Sequence, residues 1–217
     1  MPARSRRDKR GDRMSKCIIV GAGENYGLDF VKEDGDYIIA ADGGYKYLES
    51  AGITPDMVVG DFDTLKYVPD HPNIVELNPV KDVTDTWQAV TIGFEKGYRE
   101  FCFYGCMGGR IEHTVANIQM LSHIAEIGGR GYLYDDRNVL TVIKDSGVEL
   151  EKRDAGFISV FSLSDLSTGV SIKGLKYEIE NAELDNRFPL GVSNEFIGQE
   201  SRISVDNGNL LIIFPKK

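Results

Sequence analysis

Apolar runs of strand length alternate with helical patterns in the first part of the chain. The strand-like runs lie in KCIIVGAG, YIIAADGG, DMVVGDFD, NIVELN and FCFYGCMGG. Between them, YKYLESAG and DTWQAVTIGFEKG have apolar residues at helical spacing and end in glycine, as helices often do. Strands that alternate with helices form βαβ units, so we predict an α/β fold with a mainly parallel sheet and flanking helices.

The pattern changes after about residue 130. The segments GYLYDDRNVLTVI, GFISVFSL, GVSIKGLKYEIE and SRISVDNGNLLIIF are rich in β-branched and aromatic residues and are separated by turn residues. They predict a C-terminal β-sandwich or small barrel, with a hairpin turn at DNGN. We therefore expect a disordered basic extension (1–13), an α/β domain (14–130) and a β-sandwich domain (131–217).

Charge is distributed unevenly along the chain. The whole chain carries −9, but residues 1–13 hold six Lys/Arg and two Asp, so the remainder carries −13. An acidic folded part argues against nucleic acid or an anionic membrane as a partner. No apolar run approaches the length of a membrane-spanning helix, and the three cysteines lack CxxC spacing. These features predict a cytoplasmic protein without disulfides or a zinc site.

Acidic residues follow three of the predicted strands. Asp42 comes directly after YIIAA, Asp61 and Asp63 follow MVVG, and Asp82 and Asp85 precede the second helical pattern. The carboxyl ends of parallel strands meet at one edge of a sheet, so these groups are expected to lie together. Like charges repel at short range unless a cation lies between them, and carboxylate oxygens suit Mg²⁺.

Simpler roles compete with metal binding at these positions. An Asp before Gly-Gly, such as Asp42, is typical of a turn, and Asp82 with Asp85 resembles a helix N-cap and its first-turn acid. No capping role is evident for Asp61 and Asp63. In an extended chain their side chains project to the same side, about 7 Å apart, while Phe62 points away. This pair is therefore the strongest candidate for metal binding.

A glycine-rich turn in FYGCMGGRIEHTVANIQML precedes a third helical pattern. Such a turn exposes backbone N–H groups at a helix N-terminus, where anions bind, and Arg110 adds donors suited to phosphate. His113 is a further candidate for orienting phosphate or substrate, although a histidine on a helix surface often has no such role. The turn is a candidate phosphate site.

An earlier glycine cluster, GAGENYG, supports a competing hypothesis. Gly21 and Gly23 follow the first strand, and Asp42 lies where a dinucleotide-binding fold keeps its ribose-binding acid. The third glycine, Gly27, comes one position late, however, and the following segment is short for a crossover helix. A dinucleotide site would also leave Asp61, Asp63 and Asp85 without a role.

Taken in order, these motifs resemble the thiamine pyrophosphokinase (thiamine diphosphokinase) family. The likeness rests on ADGGYKYL, PDMVVGDFDTL, KDVTDTWQAV and GGRIEHTVANI, with DDRNVL, IKGLKYEIE and GVSNEF towards the C-terminus. It covers nearly everything from Met14 onward. The resemblance implies an α/β domain followed by a β-sandwich, and a homodimer with active sites between subunits. It also implies Mg²⁺-dependent transfer of the pyrophosphoryl group of ATP to the thiamine hydroxyl, giving thiamine diphosphate and AMP.

The same resemblance implies roles for residues at matching positions. Metal binding is implied for Asp42, Asp61, Asp63 and Asp85, of which the last three are the catalytic candidates. Asp85 is also the candidate base for the hydroxyl proton. ATP binding is implied for Gly43, Gly44, Lys46, Asp82, Thr84, Gly108, Gly109, Arg110, Glu112 and His113. Thiamine binding is implied for Ser193 and Asn194, in the partner's site. The chain departs from the family at Glu112, where the family has Asp, and at Lys46, where Arg is frequent.

Three alternatives remain open from the residues alone. The same chemistry could use another acceptor alcohol, for instance a pterin, because the acidic motifs serve ATP and metal. A nicotinamide oxidoreductase would use the GAGENYG loop. A catalytically silent sensor would bind thiamine diphosphate, and its binding would survive Asp85→Asn. All three predict an α/β core, so the fold does not separate them.

Overall fold

The computed structural model describes residues 14–78 and 83–216, which form two compact units. The first unit runs to Met120 and includes Leu133–Asp136, and the second contains Leu121–Tyr132 and the chain from Arg137 onward. The predicted basic extension, residues 1–13, lies outside the described residues. The domain boundary near residue 130 stays a prediction.

Five strands and two helices lie wholly in the first unit. In chain order they are β1 (Lys16–Val20), β2 (Tyr37–Ala41), α1 (Gly44–Ser50), β3 (Met57–Gly60), β4 (Ile74–Glu76), α2 (Asp85–Glu95) and β5 (Glu100–Tyr104). Helix α3 (Ile111–Glu126) and strand β6 (Arg130–Tyr134) follow, and the chain passes between units within each of them and again after Asp136. The strands and helices predicted for this part are thus confirmed in kind and position.

The five strands of the first unit are parallel and ordered β4-β3-β2-β1-β5. Strands β2, β3 and β4 are added successively on one side of β1, whereas β5 pairs on its other side. The direction of chain progression therefore reverses between β1 and β5. In open parallel sheets, ligands bind beyond the carboxyl ends of the strands at such a reversal.

The apolar runs become strands because both faces of a parallel sheet are covered. Ile18, Ile38 and Val58 from three adjacent strands are buried in one cluster, and Leu48 from α1 packs with them. Phe62, directly after β3, belongs to the same cluster. The core thus extends to the chain segment that carries the acidic pair.

The second unit consists mainly of antiparallel strands. They are β7 (Asn138–Lys144), β8 (Gly147–Leu150), β9 (Phe157–Ser162), β10 (Leu166–Lys173), β11 (Ile179–Asp185), β12 (Gly191–Glu195), β13 (Ser201–Ser204) and β14 (Asn209–Pro215). Strands β12, β9, β14 and β7 pair in that order, and β11, β10, β13 and β8 form a second sheet. The predicted fold class, a mainly parallel α/β sheet followed by a β-sandwich, is confirmed.

Two local predictions need correction. The DNGN segment is not a hairpin turn, because β13 before it and β14 after it belong to different sheets. There the N–H of Gly208 donates to Oδ1 of Asp145 at 2.7 Å, so the segment crosses between sheets beside the β7–β8 turn. The N-cap of α2 is Thr84, whose Oγ1 accepts a hydrogen bond from the N–H of Trp87 at 3.2 Å, and not Asp82.

Candidate active site

A cavity of about 580 Å³ lies at the carboxyl ends of the strands of the first unit. Its walls come from the loops after β1, β2, β3 and β5, the first turn of α2 and one side of α3. It therefore occupies the position that the reversal between β1 and β5 predicts. The lining residues are Gly21, Ala22, Gly23, Glu24, Ala41, Asp42, Asp61, Asp63, Thr64, Thr84, Asp85, Thr86, Gly105, Cys106, Gly108, Gly109, Arg110, His113 and Asn117.

Three of the predicted metal ligands converge in this cavity. Asp42, Asp61 and Asp63 each offer a carboxylate oxygen, and these oxygens all lie within 4.8 Å of one another. Asp42 is buried at the end of β2, Asp61 is half-buried, and Asp63 is exposed to the cavity. The structure therefore brings Asp42 next to a pair of acids that lie nineteen and twenty-one residues later in the sequence.

The local geometry of the acidic pair differs from the prediction. Phe62 has φ +59°, a left-handed conformation, so the Asp61–Asp63 segment is a tight turn rather than an extended chain. Phe62 is 3% exposed and anchored in the core. The N–H of Asp63 donates to Oδ1 of Asp61 at 3.3 Å across the turn. The turn still directs the aromatic ring inward and leaves both carboxylates on the cavity.

The three carboxylates fit a divalent cation. Asp42 is 7% exposed, and among the described residues its Oδ1 atom is buried without a hydrogen-bond partner. An unpaired buried carboxylate oxygen is costly, and the nearby acids increase the cost by repulsion. A hard cation bound by oxygen ligands would satisfy this atom and offset the repulsion.

Thr84 and Asp85 reach the cavity from the start of α2. Thr84 caps the helix through its hydroxyl, and Asp85 is the first helical residue. Both line the cavity, but Asp85 lies outside the group of three converging carboxylates. Its roles as metal ligand and base stay predictions. Asp82 lies outside the described residues, and its nucleotide role also stays a prediction.

The glycine turn after β5 forms the opposite wall. Gly108 and Gly109 have φ +77° and +63°, which L side chains rarely adopt, so glycine suits both positions. Arg110 lines the cavity, and its Nε donates to Oε1 of Glu112 at 2.7 Å. Hydrogen bonds from its own backbone N–H and from Arg110 lower the pKa of the exposed Glu112. His113 also borders the cavity. The glycine turn and the first turn of α3 therefore line the same cavity as the acids.

Other predicted nucleotide residues lie outside the cavity wall. A Cβ at Gly43 would come within 3.0 Å of the side chains of Ala22 and Thr64, and one at Gly44 would overlap the carbonyl oxygen of Val20. Both glycines thus have a packing role. Lys46 lies over the ring of Tyr67, 5.9 Å from its centroid. Nucleotide binding by these residues stays a prediction.

Several residues that line the cavity were not predicted from the sequence. Asn117 is buried on α3, and its Nδ2 donates to the carbonyl oxygen of Cys106 at 2.6 Å, which holds the start of the glycine turn. Burial raises the pKa of Cys106 to about 12, so its thiol stays protonated. Glu24 reaches the same turn from the loop after β1. An Asn on the third predicted helix was visible in the sequence, but nothing in the pattern showed which way it faced.

The loop after β1 does not support the dinucleotide hypothesis. No helix lies between β1 and β2, and every residue of that segment is described. A Cβ at Gly21 would lie 2.8 Å from the carbonyl oxygen of Gly105, and the N–H of Gly23 donates to that oxygen at 2.7 Å. These glycines allow two loops to pack closely, which explains the cluster without a pyrophosphate.

The candidate thiamine residues lie in the second unit, on β12. Asn194 is buried, its Oδ1 accepts the N–H of Tyr177 at 3.0 Å, and its Nδ2 donates to the carbonyl oxygen of Tyr177 at 2.7 Å. Ser193 is exposed, has φ +60° and donates its N–H to Oγ of Ser159. Asn194 therefore has a structural role in joining β12 to Tyr177, and thiamine binding by either residue stays a prediction.

The fold and the cavity define a class of protein. A parallel α/β sheet with converging carboxylates and a glycine turn at its chain reversal is the arrangement expected of an enzyme that acts on a phosphorylated ligand. The chain matches the thiamin pyrophosphokinase catalytic domain over residues 29–129. It matches the thiamin pyrophosphokinase vitamin B1 binding domain over residues 147–210. The chain belongs to the thiamin pyrophosphokinase family, whose members transfer the diphosphate group of ATP to thiamine.

Individual relatives agree with this assignment. Thiamine pyrophosphokinase of Bacillus subtilis is 28% identical over 182 residues, covering 81% of this chain and 85% of that protein. The crystal structure of thiamine pyrophosphokinase from B. subtilis superposes with a TM-score of 0.82 at 26% identity, over 93% of this chain and 99% of that one. Thiamin pyrophosphokinase from Candida albicans, at 15% identity and a TM-score of 0.77, shares the fold over 94% of this chain and 89% of its own.

Proposed function

We propose that this protein transfers the β,γ-diphosphate of ATP to the hydroxyl of thiamine in the cavity of the first unit. The observation that carries the proposal is the convergence of Asp42, Asp61 and Asp63 opposite a glycine turn, with a buried oxygen on Asp42 that has no hydrogen-bond partner in the described part of the chain. Bare carboxylates repel phosphate, so this cavity suits a polyphosphate only when a cation accompanies it. The family assignment supplies the two substrates.

Mg²⁺ is the cation that these ligands suit. Asp42, Asp61 and Asp63 would hold it through carboxylate oxygens, since a small hard dication prefers oxygen ligands and is often shared with substrate phosphates. When bound, it would neutralise charge on the phosphate oxygens. Asp85 completes the proposed set from the start of α2. The proposed metal site therefore consists of the three converging acids together with Asp85.

The protein residues carry out positioning and proton transfer. The N–H groups of Gly108 and Gly109 and the guanidinium of Arg110 would orient phosphate oxygens from the opposite wall. The thiamine hydroxyl oxygen bonds to the β-phosphorus, and the bond from that phosphorus to the oxygen bridging to the α-phosphate breaks. AMP leaves with the bridging oxygen. We assign Asp85 as the acceptor of the hydroxyl proton, because it lines the cavity outside the group of three converging carboxylates.

A product assay tests this function directly. Purified protein with ATP, Mg²⁺ and thiamine is expected to form AMP and thiamine diphosphate in equal amounts, and neither product when thiamine is omitted or excess chelator is added. Separation of nucleotides and thiamine esters by chromatography measures both. ADP in place of AMP would contradict diphosphate transfer. AMP formed only with another alcohol, such as a pterin, would contradict thiamine as the acceptor.

We also propose that the protein works as a homodimer through the second unit. Strand β12 pairs with β9 on one side and forms the end of its sheet. Large apolar side chains are exposed on and beside it: Phe157 is 66% exposed, Phe188 65%, Leu190 55% and Val192 43%. Several large apolar side chains exposed in one region of a sheet edge are typical of a protein interface. A second copy of the chain is the proposed occupant.

Light scattering after size-exclusion chromatography tests the dimer. We expect the wild-type protein to elute with twice the 24.1 kDa mass of the chain. The double variant Phe188→Glu and Val192→Glu is expected to raise the dimer Kd at least about 100-fold, because each copy then buries two charges. Val31→Glu, at a residue 81% exposed in the first unit, is the matched control. A wild-type monomer, or a double variant that stays dimeric, would refute this interface.

A cytoplasmic location is the remaining proposal. Cys17, Cys102 and Cys106 are buried and unpaired, which suits a reducing compartment. Among the described residues, the helices are too short or too polar to span a bilayer. Fractionation of cells that produce the protein, followed by detection with an antibody, is expected to place it in the cytosolic fraction.

A further inference from the structure

Glu24 already occupies a hydrogen-bond donor of the glycine turn. Its Oε1 atom accepts the N–H of Gly109 at 3.1 Å, although the two residues are 85 positions apart in sequence. Its Oε2 atom accepts the hydroxyl of Tyr26 at 2.6 Å. The carboxylate thus bonds to the same N–H that a phosphate oxygen would use.

Backbone packing fixes Glu24 in this place. The N–H of Glu24 donates to the carbonyl oxygen of Met107 at 2.9 Å, so the loop after β1 is joined to the start of the turn. The side chain lies against Gly108, where an added Cβ would come within 2.8 Å of both Cβ and Cδ of Glu24. The backbone bond between the two loops therefore holds the Glu24 side chain beside the glycine turn.

Electrostatics shows that Glu24 stays a carboxylate. Hydrogen bonds from Tyr26 and from the N–H of Gly109 lower the pKa of Glu24, and the bond to Glu24 raises the pKa of Tyr26 to about 12. The phenol therefore keeps its proton and keeps donating it. A negative oxygen on an N–H donor resembles a bound phosphate oxygen in charge and in geometry.

We propose that Glu24 competes with the nucleotide for the glycine turn and thereby sets the affinity of the enzyme for ATP. A phosphate oxygen must displace the carboxylate from the N–H of Gly109, and the displaced charge stays in the cavity wall and repels the polyphosphate. The inference rests on the proposed function, because it takes the glycine turn as the phosphate site. It adds a residue of the loop after β1 that determines nucleotide affinity.

Calorimetric titration of the full-length protein tests the competition. The probe is α,β-methylene ATP with Mg²⁺, because the bond that the reaction breaks is then stable. Glu24→Gln keeps the shape of the side chain and removes its charge, and it is expected to lower the Kd about fivefold, as for relief of an exposed charged contact. Tyr26→Phe removes the hydrogen bond that holds the carboxylate and is expected to lower the Kd about twofold.

Controls separate competition from other effects. Glu95→Gln removes an exposed charge at the far end of α2 and is expected to leave the Kd unchanged. In turnover assays, Glu24→Gln is expected to lower the KM for ATP and leave kcat unchanged. An unchanged or raised Kd for Glu24→Gln, or equal tightening by Glu95→Gln, would overturn the proposal while leaving the proposed function intact. If the wild-type protein does not bind the analogue, both the competition by Glu24 and the proposed function would be contradicted.

Discussion

Asp61→Asn and Asp63→Asn are each expected to lower kcat/KM at least about 1,000-fold with little loss of stability. Removing one charged ligand weakens the binding of the cation. The charge on the phosphate oxygens is then less neutralised, and this neutralisation is the main electrostatic contribution to phosphoryl transfer. The free energy of unfolding should change little, because Asn keeps the Oδ1 atom. In Asp61 that atom accepts the N–H of Asp63, and in Asp63 it accepts the hydroxyl of Thr64.

The stability of the same variants gives an independent readout of metal binding. Mg²⁺ alone is expected to raise the Tm of the wild-type protein by about 3 °C, since a ligand that binds the folded state stabilises it. Either variant should lose this shift, and without metal its Tm should equal or exceed that of the wild type, because repulsion among the three acids is reduced. Thermal unfolding with and without Mg²⁺ measures both effects.

Asp70→Asn is the matched control for these variants. Asp70 is exposed in the loop after β3 and is not among the residues that line the cavity. Its replacement should leave turnover and the Mg²⁺-induced Tm shift unchanged. An Asp61 or Asp63 variant with near-normal turnover would remove that residue from the metal site.

The position of the acidic cluster was predictable because it depends on simple chain geometry. Parallel strands of similar length place their carboxyl ends along one edge, so the residues after YIIAA and MVVG had to be close. The fold class was predictable for a different reason: fully buried strands appear in sequence as continuous apolar runs, and here these runs alternate with helical patterns. The turn at Phe62 was not predictable, because a left-handed phenylalanine is uncommon and depends on its burial in the core.

Other features depend on packing that no local pattern encodes. The contact between Glu24 and Gly109 requires two loops from separate strands to meet, and the sequence pattern of either loop alone does not contain it. Strand β8 has only four residues, and the burial of β12 does not alternate, so both lacked a clear strand signal. The Asn-Gly pair in DNGN is typical of a hairpin, but here the chain changes sheets. The structure of these segments depends on the strands with which they pair, and not on the local preferences of their own residues.

Gly44→Ala is expected to destabilise the protein by about 3 kcal/mol, because an added methyl has no space at the start of α1. A Cβ there would overlap the carbonyl oxygen of Val20 and lie 3.0 Å from that of Gly21. Both are backbone atoms of β1 and its loop, and they move only if the helix moves away from the sheet. Leu48 of the same helix is fully buried in the core, so such a movement would also loosen core packing.

Thermal unfolding separates this packing role from the nucleotide role that the family resemblance implies for Gly44. The expected loss corresponds to about 10 °C in Tm for a domain of this size. Gly52→Ala is the control: Gly52 has φ +69° and no atom within 4 Å of an added Cβ, so only backbone strain of about 1 kcal/mol is expected. If Gly44→Ala unfolded at the wild-type temperature but raised the KM for ATP, Gly44 would act on the nucleotide and not on the fold. A Tm loss larger than that of Gly52→Ala would establish that this glycine is required where α1 meets β1.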